Sequence, residues 1–262
     1  MATWKDLQEQ SLTRESLSAL LGNEIPAIRI RNFATAAECE LFSRAAKTGN
    51  VKYYSVKKKI GYIGQAQYEY RWNPDKSEYF EAVREARKDL HDVLSRSFDP
   101  VQRLMDRLRA VYPADVDVAR EPGLGEYYAG IIRLASQGVD LHADFAPINT
   151  IDYSISSIDS QLGWNFFAED PGAGGLTTVH NAPWNPERKP GEIPQSYGLD
   201  HAIVAGAPTF TYAPTAGDVV IFNTRNPHEV SAGEPGADET KDRVSIGSFI
   251  GRLPDRSLVL WA

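Results

Sequence analysis

Cysteine, methionine and histidine are scarce, with one, two and five copies in 262 residues. With Cys39 alone, an intrachain disulfide is impossible and a thiolate zinc cage is excluded. Its neighbours Ala36-Ala37-Glu38-Cys39-Glu40-Leu41-Phe42 read as helix, so Cys39 is expected to be a buried structural thiol. Long apolar runs are also missing: nothing approaches the ~18 residues that span a bilayer. The start, Met1-Ala2-Thr3-Trp4-Lys5-Asp6, shows no charged-then-apolar leader pattern. No membrane partner and a reducing, cytoplasmic setting are therefore expected. Positive charge is short too. The net charge is −7, and Lys57-Lys58-Lys59, the one basic block, reads as a solvated loop, which argues against a nucleic-acid partner. What remains, 42% hydrophobic and 24% charged, suits a globular chain with a sizeable core.

The pattern changes near residue 115, and residues 1–262 are expected to form one domain with a mostly helical part, 1–115, and a strand-rich core, 116–262. In the first part, Thr35 and Glu38 have capping-box spacing ahead of the stripe Leu41, Phe42, Ala45, Ala46. Periodicity predicts a helix from about Ser77 to Ser95, and Asp99-Pro100 opens another through Leu104 and Leu108. The aromatic-rich Tyr53–Trp72 segment is expected either to pair as strands or to fold over a site. In the second part, strands are expected over Tyr127–Leu134, Ile151–Ile155, Trp164–Phe167, Leu176–Val179, Phe210–Tyr212, Asp218–Phe222 and Val244–Ile250. Short strands without intervening helices favour a sandwich or barrel. The connection Asn181–Tyr197, with Pro183, Pro186, Pro190 and Pro194, is a candidate lid or surface loop.

The chemistry concentrates in three places. Two imidazoles and one carboxylate on one face hold a catalytic iron and leave adjacent positions open. His142-Ala143-Asp144 offers two such ligands, since strand residues two apart share a face. Asp140, two residues before His142, is an alternative carboxylate. His228 follows the turn and apolar strand Ala216-Gly217-Asp218-Val219-Val220-Ile221-Phe222-Asn223 and supplies the second imidazole. Arg243-Val244-Ser245 begins the next strand. A guanidinium there suits the distal carboxylate of 2-oxoglutarate through paired charge-assisted hydrogen bonds, and Ser245 can add another. His91, His180 and His201 are read as surface or packing histidines, and Trp164, Phe166 and Phe145 as core.

Taken in order, these residues resemble the iron(II)/2-oxoglutarate-dependent oxygenases. Within that superfamily the chain is most similar to the stand-alone hydroxylases and halogenases that act on free amino-acid derivatives and alkaloids. The similarity includes Ile132-Arg133-Leu134, Pro171-Gly172-Ala173-Gly174-Gly175-Leu176, Trp184-Asn185-Pro186, Tyr212-Ala213-Pro214 through Asn223, and Arg243 through Phe249. It implies a mainly β fold with flanking helices, in which a double-stranded β-helix (a cupin-like jelly roll) carries the site. It also implies His142, Asp144 and His228 as iron ligands, which selects Asp144 over Asp140, and Arg243 as the distal-carboxylate anchor. Arg133 is implied either as a second cosubstrate contact or as half of a structural ion pair. Fe(II), 2-oxoglutarate and O2 are the implied cofactors, succinate and CO2 the coproducts, and a small molecule the partner. No carrier protein is expected, and a homodimer is compatible with the sequence.

Halogenases of this group have a small residue where Asp144 stands, so the resemblance implies hydroxylation of an unactivated C–H bond. Desaturation, cyclisation or halogenation on the same scaffold is the first alternative. A cupin-like isomerase or hydrolase that ignores 2-oxoglutarate is the second, and leaves Arg243 without a purpose. A non-enzymatic β-sandwich is the third.

Overall fold

The computed structural model describes residues 4–54, 60–135, 137–150, 152–186, 197–233 and 242–262. The lysine run 57–59, residue 151 and much of the proline-rich connection, including Pro190 and Pro194, lie outside them. Helix starts follow local chemistry. α1 (Arg14–Leu21) begins where Thr13 and Ser16 cap each other, and β1 (Ala27–Ile30) follows. α2 (Ala36–Lys47) carries the reciprocal Thr35–Glu38 bonds that the spacing predicts. β2 (Lys52–Tyr53) and β3 (Gly61–Ile63) occupy the aromatic segment. α3 (Lys76–Ser95) and α4 (Pro100–Arg109) are capped by Asp75 and Asp99, and α4 has proline at its start.

Short strands then dominate: β4 (Val116–Val118), β5 (Arg120–Glu121), β6 (Gly125–Glu126), β7 (Ile131–Leu134) and β8 (Val139–His142). After the one-turn helix α5 (Ala146–Asn149) come β9 (Ser160–Glu169), β10 (Thr177–His180), β11 (Thr209–Tyr212) and β12 (Val219–Asn223). The last three are β13 (His228–Val230), β14 (Val244–Arg252) and β15 (Leu258–Trp261).

Two expected strands are corrected. The one over Ile151–Ile155 is replaced by a 3-10 turn at Ser154–Ser157, where Ser157 Oγ donates to the Ser154 carbonyl and the Ser154 amide to Glu121. Local serine bonds there satisfy backbone groups that a strand would satisfy through a partner. The one expected from Tyr127 begins only at Ile131, because Gly130 turns the chain at φ +89°.

A nine-stranded sheet runs β1-β12-β9-β14-β7-β3-β2, with β15 beside β14 and β4 parallel to β15. A four-stranded sheet runs β11-β10-β13-β8. Three strands of the large sheet come from the first 115 residues, expected to be mostly helical; β2 and β3 fall on the aromatic segment for which strand pairing is one expectation, and β1 is not expected. Strand alternation sorts the apolar residues into two layers. Ile28, Phe166, Val219 and Ile221 face α1, α2 and α4, while Ala27, Phe167, Val220 and Phe222 face Val179, Phe210 and Tyr212 of the small sheet. The fold is thus mainly β, two largely antiparallel sheets face to face with helices outside. Among the described residues, no helix is long and apolar enough to cross a membrane.

Candidate iron centre

The small sheet brings the two histidines together. β13 pairs antiparallel with β8, placing His228 opposite His142, with ring centroids 4.1 Å apart. His142 Nδ1 donates to the Asp140 carbonyl at 2.7 Å and His228 Nδ1 to the Asn226 carbonyl at 3.0 Å. Each bond fixes the tautomer and leaves Nε2 with its lone pair free for a metal. Those Nε2 atoms lie 3.8 and 3.9 Å from Asp144 Oδ2. All three side chains are buried, and one ligand atom from each lies within 4.8 Å of the others. Asp140 is exposed and is not in this cluster.

Asp144 reaches the cluster by a different route from the one its spacing suggests. β8 ends at His142, so Asp144 lies beyond the strand. Its amide donates to the Thr224 carbonyl at 2.9 Å, and Thr224 Oγ1 donates back to the Asp144 carbonyl at 3.1 Å. Thr224, just after β12, therefore holds the carboxylate in place. Sequence reasoning passes it over because nothing marks the residue after a strand as a support for another segment.

The electrostatics suit a cation. Burial pushes the Asp144 carboxyl up, against the pull of His142 and Arg133. Burial, with His142 alongside, pushes the His228 imidazole well below its usual range. A dication relieves both, because it takes the neutral imidazole and the ionised carboxylate. Two imidazoles and one carboxylate are the donor set of the facial site that iron(II) occupies in oxygenases.

Arg243 precedes β14 and is 4% exposed, stacked 5.1 Å over the Phe167 ring. Burial pushes its guanidinium down to about 10. It forms no ion pair among the described residues, its Nε lacks a hydrogen-bond partner, Ser245 Oγ is buried and equally unpartnered, and the buried Tyr212 Oη has only Thr177 within reach. Leaving such groups unmatched costs several kcal/mol, so the arrangement anticipates an anion. A carboxylate fits, and the 2-oxoglutarate tail is one. Tyr212 has no motif that announces it; its contribution emerges only when β11 pairs beside β10.

Arg133 on β7 pairs across the sheet with Ser245 of β14 and Tyr62 of β3. It hydrogen-bonds the Tyr54 hydroxyl, Tyr54 stacks on Tyr62 at 4.0 Å, and its charge reaches Asp144. No carboxylate lies within ion-pair distance of it among the described residues.

Other expectations sort cleanly. His180 and His201 flank Glu229 at 3.2 and 3.1 Å and are not among the triad, although His180 is close enough to act on His228, and His91 is exposed. Cys39, Trp164 and Phe166 are core. Phe145 packs with Trp184 beside Asp144, beneath Arg225. Tyr197, at the end of the proline-rich connection, stacks on His142 at 4.8 Å, and Tyr68 from the aromatic segment touches Tyr197 at 5.4 Å. Both expected covers thus place an aromatic ring near the triad.

Comparison with known proteins agrees with this geometry. The family described as Carrier-protein-independent halogenase WelO5 matches residues 3–261. The chain is 31% identical over 214 residues to Leucinostatins biosynthesis cluster protein S of Purpureocillium lilacinum, covering 78% of this chain and 86% of that one. It is 32% identical over 171 residues to an L-gamma-glutamyl-L-propargylglycine hydroxylase of Streptantibioticus cattleyicolor, covering 63% of this chain and 59% of that one. Its fold is similar to that of an N-substituted L-amino acid dioxygenase from Burkholderia ambifaria AMMD, with a TM-score of 0.59 at 14% identity, covering 95% and 91% of the two chains. The chain belongs to the WelO5 family of carrier-protein-independent enzymes and is an iron(II)- and 2-oxoglutarate-dependent oxygenase that uses O2.

Proposed function

We propose that this oxygenase hydroxylates an unactivated C–H bond of a small molecule, an amino acid or amino-acid derivative before an alkaloid. His142, Asp144 and His228 hold the iron. Arg243 and Ser245 receive the distal carboxylate of 2-oxoglutarate, and Arg133 is a second cosubstrate contact. Residues 1–262 act as one domain. The observation that carries the reading is a carboxylate, Asp144, completing a buried triad in a chain that also buries an unmatched Arg243.

When bound, iron(II) with 2-oxoglutarate and O2 supplies the oxidising power for C–H cleavage, with succinate and CO2 as coproducts. The chain's own work is orientation and exclusion. The carbonyls of Asp140 and Asn226 hold the imidazoles, Thr224 holds Asp144, and Arg243 fixes the cosubstrate by its tail. Tyr197 stacked on His142, with Phe145 and Trp184 on the Asp144 side, restricts water at the reacting face. Because Asp144 occupies the position that a halide needs, oxygen insertion is favoured over halogen transfer. The hydroxylase similarity over 63% of the chain supports an amino-acid-type substrate.

The test is a screen of amino acids, γ-glutamyl dipeptides and N-acyl amino acids for succinate release, with mass analysis under isotopically labelled O2 and added chloride. A product carrying one labelled oxygen atom supports the proposal. A chlorinated product from the unmodified chain would overturn the hydroxylase assignment.

A further inference from the structure

Seven arginines among the described residues are buried or half-buried: Arg29, Arg71, Arg103, Arg133, Arg225, Arg243 and Arg252. Arg29, Arg103 and Arg252 each bind a carboxylate. The other four bind none among the described residues; the charge of Arg133 reaches Asp144, Arg225 follows the Thr224 that holds Asp144, and Arg71 is linked to His142 through Tyr68 and Tyr197. Arg243 and Arg133 are absorbed by the cosubstrate reading. Arg71 and Arg225 are not.

Arg71 follows the 3-10 turn at Gln67–Tyr70. Its guanidinium lies 3.5 Å over the Tyr68 ring and 4.8 Å from the Trp72 ring, and its buried Nε has no partner. Tyr68 in turn touches Tyr197, the ring stacked on His142. Arg225 sits between β12 and β13, beside Thr224 and three residues before His228. It lies 4.8 Å over Phe145, and its Nε donates to the Trp184 carbonyl at 2.9 Å, leaving the terminal nitrogens without a carboxylate. Aromatic faces and a carbonyl position these cations without neutralising them. Burial lowers the pKa of both. Iron(II) adds two positive charges to the site, and Asp144 with the cosubstrate dianion offsets only part of the total.

We propose that Arg71 and Arg225 form an anion-receiving subsite and that the substrate is a small dianion, a molecule bearing two carboxylates or equivalent groups. This rests on the iron and 2-oxoglutarate reading of the same site. It disfavours a cationic alkaloid, which would meet like charge from two rims.

The experiment uses the full chain loaded anaerobically with iron(II) and saturating 2-oxoglutarate. It is titrated calorimetrically with N-acetyl-L-glutamate, N-acetyl-L-aspartate and N-acetyl-L-aminoadipate, then with the neutral diamide of each. At least one dianion should bind about tenfold or more tightly than its diamide, and added salt should weaken it. Arg71→Gln and Arg225→Gln should each weaken that dianion about tenfold, Arg71→Lys and Arg225→Lys less, all with 2-oxoglutarate binding retained. Diamides that bind as well as the dianions, variants that leave dianion binding unchanged, or no dianion binding up to about 10 mM would each overturn the subsite. Failure to assemble the iron and 2-oxoglutarate complex at all would instead strike the functional reading beneath it.

Discussion

At the edge strand β1, Arg29 meets Glu9 at 2.8 Å and Asp218 at 3.2 Å, and on α4 Arg103 is matched by Glu38. Around the triad, Arg71, Arg133, Arg225 and Arg243 find no carboxylate among the described residues. The same side chain thus plays two roles in one fold. Where it ties segments together, its counter-charge is built in. Where no carboxylate is described beside it, the proposed counter-charge is a ligand. The contrast separates scaffold from site without reference to any motif.

The contrast breaks most directly by deleting each kind of cation. Arg29→Met leaves the buried Asp218 without a cation, while Glu9 keeps Arg31, and should destabilise the chain by about 3–5 kcal/mol in denaturant titrations. A loss below about 1 kcal/mol would erase the difference between the two sets. Arg243→Met should go the other way. Ligand-free stability should hold or rise, while the 2-oxoglutarate concentration for half-maximal succinate release climbs about a hundredfold. An unchanged requirement would move the anchor elsewhere.

The smallest effect sharpens the scaffold side. Arg103, then the Thr35 amide, hold the Glu38 carboxyl down to about 2. A depressed carboxylate contributes stability above its unfolded value and loses it as pH falls through the folded one. Glu38→Gln should therefore cost about 1 kcal/mol at neutral pH. Its deficit against the parent should shrink as pH falls from about 4.5 towards 2, and a deficit constant across that window would contradict the assignment.

Much of this was readable in advance for a physical reason. Arg243 directly precedes the buried strand β14 and His228 follows the apolar strand β12 after a short loop, so the pattern that makes each strand also marks the residue beyond it. Capping chemistry made α2 and α4 equally plain, because both signals are local. The β1 strand, only four residues long, was missed, as was α1 before it. So were Thr224, Tyr212, Tyr197, Arg71 and Arg225, whose importance arises from partners far away in the chain. Arg71 and Arg225 stand out by having no carboxylate among the described residues, which becomes visible only once those residues have positions.

The central claim is that His142, Asp144 and His228 converge on one iron that 2-oxoglutarate then chelates. It is tested most directly by anaerobic iron(II) titration with 2-oxoglutarate, read in the visible spectrum for the parent, His142→Ala and Asp144→Ala. The account predicts one iron per parent chain, a weak charge-transfer band that saturates with cosubstrate, and loss of that band in His142→Ala, with weakened iron binding in both variants. A parent chain without the band at saturation, or a His142→Ala chain that retains it in full, would contradict it.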